Sequence, residues 1–413
     1  MSAAQSQARP AWAVPWAVAE MFAGVGSVAR GFARAGGFQI AYLNDIDPAA
    51  RETYLANSGA GTEAAYQVGD VTKLAGKGVL DAADGRPLAG LLGCPPCQGW
   101  SAAGQRDSAD ERNALLGDFF RMVRTTRPVF FVMENVPSVA DRAELAACLG
   151  EFDGLYRTWQ GVLNAAAYGL PQSRQRTLVI GYRLDTGVVP TCLLPTHGGR
   201  RRIWDYRTEA FVEPSAETLD AILGAAPRLG APRAAQYSMR PHYAVEITQL
   251  APFVTTGEAI GDLEDDGAAA EPSDYARALG AGAGEVSSHV PWDHGRDLVT
   301  RMHKVPEGCR PPIEATNGRR YYSQAYTRLH RDGLARTITT NFHNPGSGRF
   351  LHYRLDRTLT IREAARIQGF RDDFEFTGRP GVQERQVGNA FPPLWAEAIA
   401  AHVSTELHDF LSA

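Results

Sequence analysis

Two thiols, Cys94 and Cys97, flank Pro95-Pro96 directly after the apolar run Leu88 to Leu92. A cysteine at the carboxyl end of a buried strand is placed for chemistry. The C-x-x-C spacing is equally that of a redox pair or of half a zinc site. An acid, Glu134, closes a second apolar run, Val129 to Met133, and Arg174 and Arg176 stand just before a third, Thr177 to Tyr182. A carboxyl group at a neighbouring strand end could handle a proton. Nearby guanidinium groups would help a thiol ionise, although a surface ion pair uses the same residues.

A second set of residues suits a ligand. Glu20-Met21-Phe22-Ala23-Gly24-Val25-Gly26-Ser27 is a glycine-bearing turn that opens a helix, and it lacks the full G-x-G-x-x-G spacing of a dinucleotide site. About twenty residues on, Asn44-Asp45-Ile46-Asp47 ends the next strand, where an acid can accept from both hydroxyls of a ribose. Asp70, in Gly69-Asp70-Val71, is a third polar residue at a strand end. Together they describe a site for an adenosine-containing ligand that needs no phosphate cradle.

The elements that must carry these residues are legible in the first half. Val14 to Phe22, Phe38 to Leu43, Leu88 to Leu92, Val129 to Met133 and Thr177 to Tyr182 have strand length, separated by helical stretches at Ser27 to Ala35, Asp47 to Asn57 and Ala114 to Arg124. This alternation predicts an α/β fold with ligands at the strand ends. From Leu184 to about Arg336 the chain is rich in Gly, Pro, Ala and charge without that rhythm, which predicts a smaller, irregular domain. Helical periodicity returns at Thr360 to Gln368 and Leu394 to Leu407.

Composition excludes several classes. The 413 residues are 44% apolar and 21% charged, with no stretch resembling a membrane span, and Met1 to Pro15 reads as a loose leader of a cytoplasmic protein. Five cysteines at irregular spacing are no secreted disulfide framework. A net charge of −4 argues against a nonspecific nucleic-acid coat. An acidic window from Glu258 to Glu285 is nevertheless followed by one rich in arginine, with Tyr321, Tyr322, Tyr326, His330 and His343 interleaved, as on a polyanion-binding face.

Phe22-Ala23-Gly24-Val25-Gly26, Pro96-Cys97-Gln98, Glu134-Asn135-Val136, Gln172-Ser173-Arg174-Gln175-Arg176 and Gln386-Val387-Gly388-Asn389-Ala390 resemble, in order, the motif set of the DNA cytosine-C5 methyltransferases. The resemblance covers nearly the whole chain except the leader and the region from about Leu184 to Tyr326. It implies a Rossmann-like S-adenosylmethionine-dependent methyltransferase sheet, with the catalytic domain at 16–183, a target-recognition domain at 184–345, and a return to the catalytic domain at 346–413.

The resemblance also implies roles. Cys97 would attack cytosine C6, since C5 is a poor nucleophile until the ring becomes enamine-like, and Cys94 would be a small buried residue. Glu134 would hold N3 and the exocyclic amine, Arg176 the base O2, and Arg174 the loops of Cys97 and Glu134. Phe22, Gly24, Gly26, Asp45, Ile46, Asp70, Val71, Pro96, Leu115 and Asn389 would hold S-adenosylmethionine and its product S-adenosylhomocysteine. Gln98, Ser101, Gln105, Asn135, Arg336 and Thr339 would meet DNA, with Gln98 to Arg112 as a lid over a flipped base. Two residues depart from the pattern: Glu20 where an aspartate is usual, and Ile46 where an aromatic often stacks on adenine. The implied partners are double-stranded DNA and a restriction endonuclease for the same site, with no metal and a monomeric enzyme. Two alternatives stand beside this reading: a tRNA cytosine methyltransferase of the same family, whose Cys-Phe-Thr signature is missing, and a C-x-x-C redox or zinc protein, for which no second pair is found.

Overall fold

The computed structural model describes residues 15–59, 65–83, 87–96, 114–198, 202–206, 208–213, 250–264, 270–312 and 324–411. Cys97, Gln98, Ser101, Gln105 and the expected lid lie outside the described residues, as do Tyr321, Tyr322 and nearly all of the leader.

Strands β1 (Trp16–Met21), β2 (Phe38–Asp45), β3 (Tyr66–Val68), β4 (Leu88–Gly93) and β5 (Phe130–Asn135) are mutually parallel. Helices α1 (Ser27–Ala35), α2 (Pro48–Ala56), α3 (Gly76–Asp81) and α4 (Leu115–Thr126) connect them. Helix α5 (Ala143–Gly150) leads to β6 (Tyr156–Asn164), and a two-residue strand, β7 (Gln172–Ser173), precedes β8 (Gln175–Arg183). β8 runs antiparallel between β5 and β6, completing a seven-stranded sheet of order β3-β2-β1-β4-β5-β8-β6. β4 and β5 are buried throughout because helices cover both faces, which is why they stand out as continuous apolar runs. β3 has only three residues, and β6 is an edge strand with Arg157 exposed and Gln160 half-buried, so neither was anticipated.

Between β1 and β4 the strand order reverses. At this switch point Glu20 is buried and its Oε2 accepts from the Ala29 amide at 2.8 Å. The α1 N-cap position is Gly26, which has no side chain to cap with, so the carboxyl group from β1 performs the capping.

After Arg183 come a hairpin of β9 (Ile203–Asp205) and β10 (Ala210–Val212), the short helices α6 (Thr256–Ile260), α7 (Asp274–Ala278) and α8 (Arg296–His303), and β11 (Ala335–Arg336), which pairs with β7. Helices α9 (Ile361–Ile367), α10 (Pro380–Asn389), α11 (Pro393–Glu406) and α12 (His408–Leu411) complete the described chain. A separate core gathers Ile260, Leu329, Ile338, Phe342, Phe370 and Val387, and Val25 of the glycine turn belongs to it. α9 starts in a capping box of Thr360 and Glu363, and Glu363 also takes both terminal nitrogens of Arg357 at 2.7–2.8 Å.

α11 returns to the large sheet and packs against α1. A Cβ at Gly31 would lie 2.5 Å from the Ala396 Cβ and 2.7 Å from the Glu397 amide nitrogen. An exposed helical Gly→Ala change gains about 1 kcal/mol, whereas overpacking costs about 1–3 kcal/mol, and here the obstructing atoms include main chain. Gly31→Ala is therefore expected to lower the urea midpoint, not raise it. Burial pushes Glu20 up from 4.5 to about 8, so the fold holds its proton more tightly than the unfolded chain does. The stability this brings is complete below about pH 4.5 and is lost as pH rises towards 8. Urea titrations from pH 5 to 7.5 should show Glu20→Gln losing less stability than the parent by about 1.4 kcal/mol per pH unit.

Candidate active site

The residues singled out by type and spacing meet at the carboxyl ends of β1, β2, β4 and β5. Phe22, Gly24, Asp45, Ile46, Asp70, Val71, Pro96, Leu115 and Asn389 line one side of a cavity of about 470 Å³, and Glu134, Asn135, Arg174 and Arg176 line the other. Gly26 is set back from the wall, and a Cβ there would meet the Tyr54 ring at 2.6 Å.

On the first side the backbone is held in an unusual shape. Phe22 has φ 57°, Gly24 φ 50° and Gly26 φ 71°, and a non-glycine residue at positive φ is retained where its surroundings over-determine it. Two neighbours do so: Asp45 Oδ2 accepts from the Gly24 amide at 2.7 Å, and the Tyr66 hydroxyl donates to the Gly24 carbonyl at 2.6 Å. Asp45 Oδ1 accepts from the Asp47 amide at 2.9 Å, which leaves each oxygen a further lone pair for hydroxyl groups. Burial above all raises the Asp45 carboxyl from its ordinary value. Ile46, 71% exposed, gives the rim an apolar side chain against which a flat ring can rest. Asp70 Oδ1 accepts from the Thr72 amide and hydroxyl and fixes the turn at Val71–Lys73.

Glu20 was noted in the sequence only as a departure, and its position changes the site. Its carboxyl group occupies the α1 N-terminus, where a pyrophosphate would otherwise be received. The turn is thereby suited to a ligand without phosphates, as the missing third glycine suggested. An acid at the end of the strand, six residues before a glycine N-cap, was the available signal.

On the second side, Arg176 Nε lies 2.6 Å from Glu134 Oε1 in a nearly buried ion pair. Arg174 sits between β7 and β8 and donates from Nη2 to the Ala390 carbonyl at 3.2 Å. Its Nε and Nη1 are buried without a hydrogen-bond partner among the described residues. Burial, then the neighbouring Arg176, pushes its guanidinium down to about 9. Asn135 Nδ2 donates to the Pro95 carbonyl at 3.1 Å, tying β5 to the chain two residues before Cys97. Burial, followed by the Glu134 charge, pushes the Cys94 thiol well up, which keeps it protonated and unreactive at neutral pH.

Of the expected DNA-contacting residues that the structure describes, Asn135 lines the cavity, whereas Arg336 and Thr339 do not. Arg336 is exposed in β11, and the main chain of Thr339 packs against Gly388. Gln172 and Gln368, both fully buried, carry no distinctive chemistry in the sequence but bond across the elements that meet here. Among the described residues no group of three or more His, Cys, Asp or Glu could hold a metal ion, and no helix is long and apolar enough to cross a membrane.

Known proteins share both sequence and fold with this chain. It is 31% identical over 406 residues to the Type II methyltransferase M1.HphI of Haemophilus parahaemolyticus, covering 93% of this chain and 85% of that protein. It is 28% identical to the Type II methyltransferase M.DdeI of Desulfomicrobium norvegicum, covering 94% and 88%. The crystal structure of a putative DNA modification methyltransferase encoded within an E. coli prophage matches its fold with a TM-score of 0.65 at 22% identity, over 95% of this chain and 99% of that one. The profile of the C-5 cytosine-specific DNA methylases matches residues 16–405. The chain belongs to that family, whose reaction is methylation of cytosine in DNA with S-adenosylmethionine as donor.

Proposed function

We propose that this enzyme methylates C5 of a cytosine flipped out of a specific duplex DNA sequence, through a covalent bond between Cys97 and C6. The observation that carries the reading is the convergence of the Glu134–Arg176 pair and the Asp45–Gly24 turn on one cavity, with Pro95 and Pro96 leading from it towards Cys97. S-adenosylmethionine, when bound, supplies an electrophilic methyl group.

Phe22, Asp45, Ile46, Asp70, Val71, Leu115 and Asn389 hold the adenosine portion, Asp45 through the ribose hydroxyls. The Cys97 thiolate adds to C6 while Glu134 gives N3 a proton or a strong hydrogen bond, and the displaced π electrons become available at C5. C5 forms its bond to the methyl carbon as the donor's carbon–sulfonium bond breaks and leaves S-adenosylhomocysteine, the original C5 proton leaves to water, and the sulfur–C6 bond breaks while N3 returns its proton to Glu134, restoring the ring and the thiolate. The unpaired Nε and Nη1 of Arg174 are two buried donors without an acceptor, a costly state that a bound anion or base oxygen relieves. Arg176 keeps Glu134 aimed and reaches the base O2.

Residues 184–345 serve as the target-recognition domain, with Arg336 and Thr339 on the side that meets DNA and Gln98, Ser101 and Gln105 in the loop that covers the flipped base. The Type II names of the relatives support pairing with a restriction endonuclease of the same specificity. One complete motif set permits a monomer.

Deamination sequencing of DNA from cells expressing the chain should show protected cytosines in one short context. Protection confined to tRNA would overturn the DNA reading. Cys97→Ser should abolish methylation, and Glu134→Gln should lower kcat by about 10²–10⁴-fold while binding S-adenosylhomocysteine nearly as the parent does. Retained activity in Cys97→Ser would sink the mechanism. Asp45→Ala removes acceptors from both ribose and Gly24, and calorimetry should find the cofactor bound at least about tenfold more weakly.

A further inference from the structure

We infer that Gln172 and Gln368 form a buried amide relay through which DNA seated on the recognition segment sets the cofactor pocket and Arg174; this rests on the function proposed above. Four parts of the chain meet at these side chains. Gln172 Nε2 donates to the Ile367 carbonyl at 2.9 Å and to Gln368 Oε1 at 2.6 Å, and Gln172 Oε1 faces the Ile338 amide at 3.4 Å. Gln368 Nε2 donates to the carbonyls of Val387 and Ala390, at 2.8 and 3.3 Å. The Ala390 carbonyl also accepts from Arg174.

One end of the relay is the segment 335–340. β11 pairs with β7, so that Ala335 faces Gln172 and Arg336 faces Ser173, and the Thr337 hydroxyl donates to the Ser173 carbonyl at 3.3 Å. The other end is the α10 terminus, where Asn389 lines the cavity. Between the two there is no slack: a Cβ on Gly388 would lie 2.4 Å from the Thr339 carbonyl carbon and oxygen. Both amides are fully buried, so their hydrogen bonds have no water to exchange with, and a shift of Ile338 or Thr339 is passed on to Val387–Ala390 and Arg174. Gln172 and Gln368 are positioning residues, reaching cofactor and base only through Asn389 and Arg174.

Coupling of this kind is reciprocal and has a defined size. Calorimetry with S-adenosylhomocysteine, with and without a short duplex carrying the site mapped by deamination sequencing, measures it. The parent enzyme is expected to bind the product about fivefold or more tightly in the presence of the duplex. Gln368→Met conserves volume but removes the donors to Val387 and Ala390. It should bind S-adenosylhomocysteine alone within about twofold of the parent, lose the duplex enhancement, and lower kcat more than it raises the cofactor KM. Gln172→Met, which leaves the Gln368 bonds to α10 in place, should lose the enhancement as well and provides the test if Gln368→Met does not fold. Gln383→Met removes an amide of α10 outside the relay, bonded to Ser288 and Gly378, and should keep the enhancement whatever it does to the melting temperature. Retained enhancement in both relay variants, or none in a parent that methylates the duplex, overturns the inference. A parent that methylates no duplex at all overturns the proposed function first.

Discussion

A carboxyl group buried at the end of a central strand, with the first turn of a helix closed over it, is the interaction on which the rest of the site depends. Glu20 satisfies the Ala29 amide, and in doing so fixes where α1 begins relative to β1. The chain between them must then turn within Phe22–Gly26, at three positive φ angles, and Asp45 and Tyr66 are the clamps that hold it there. Because the helix terminus already carries its acid, the turn offers main-chain contact and shape instead of a phosphate pocket. A donor with a ribose, an adenine and a cationic sulfur matches such a wall.

The same turn joins two bodies that look independent along the sequence. Val25 is buried in the core built by residues beyond 250, and Gly388 carries the close approach between α10 and the segment after β11. The irregular body keeps its form with few long elements because its buried charges are paired. Arg366 meets Asp262 and Asp372, and Arg328 donates to four carbonyls as well as to Asp356. Buried ions offset their desolvation only when their hydrogen bonds are satisfied, and Glu363 meets that condition well enough to be held down to about 2.

What the sequence disclosed follows from burial on two faces. β1, β4 and β5 are apolar runs because helices cover both sides of them, and the α1 span, Ser27–Ala35, coincides with its expected limits. The candidates Asp45 and Glu134 stood out for the same reason, since each ends such a run. β6 was hidden because an edge strand carries polar residues like a loop. The apolar run marked β8 only from Thr177, whereas the strand begins at Gln175 and the two-residue β7, paired with β11, precedes it. Gln172 and Gln368 were invisible as a pair: an amide has no charge or reactivity to mark it, and the partners lie 196 residues apart.

The seat of α11 on α1 has a consequence for how the molecule is made. α1 and the first five strands leave the ribosome early, yet the helix that covers Phe32, Val28 and Gly31 is roughly 360 residues further on, a wait of roughly 20–70 s at bacterial or eukaryotic elongation rates. Through that interval one face of the sheet carries an apolar stripe with no partner. Final closure is a late event of high contact order, and a chain shortened before Pro393 keeps the face bearing α1 uncovered while every residue of the cavity wall from β1 to β8 is present.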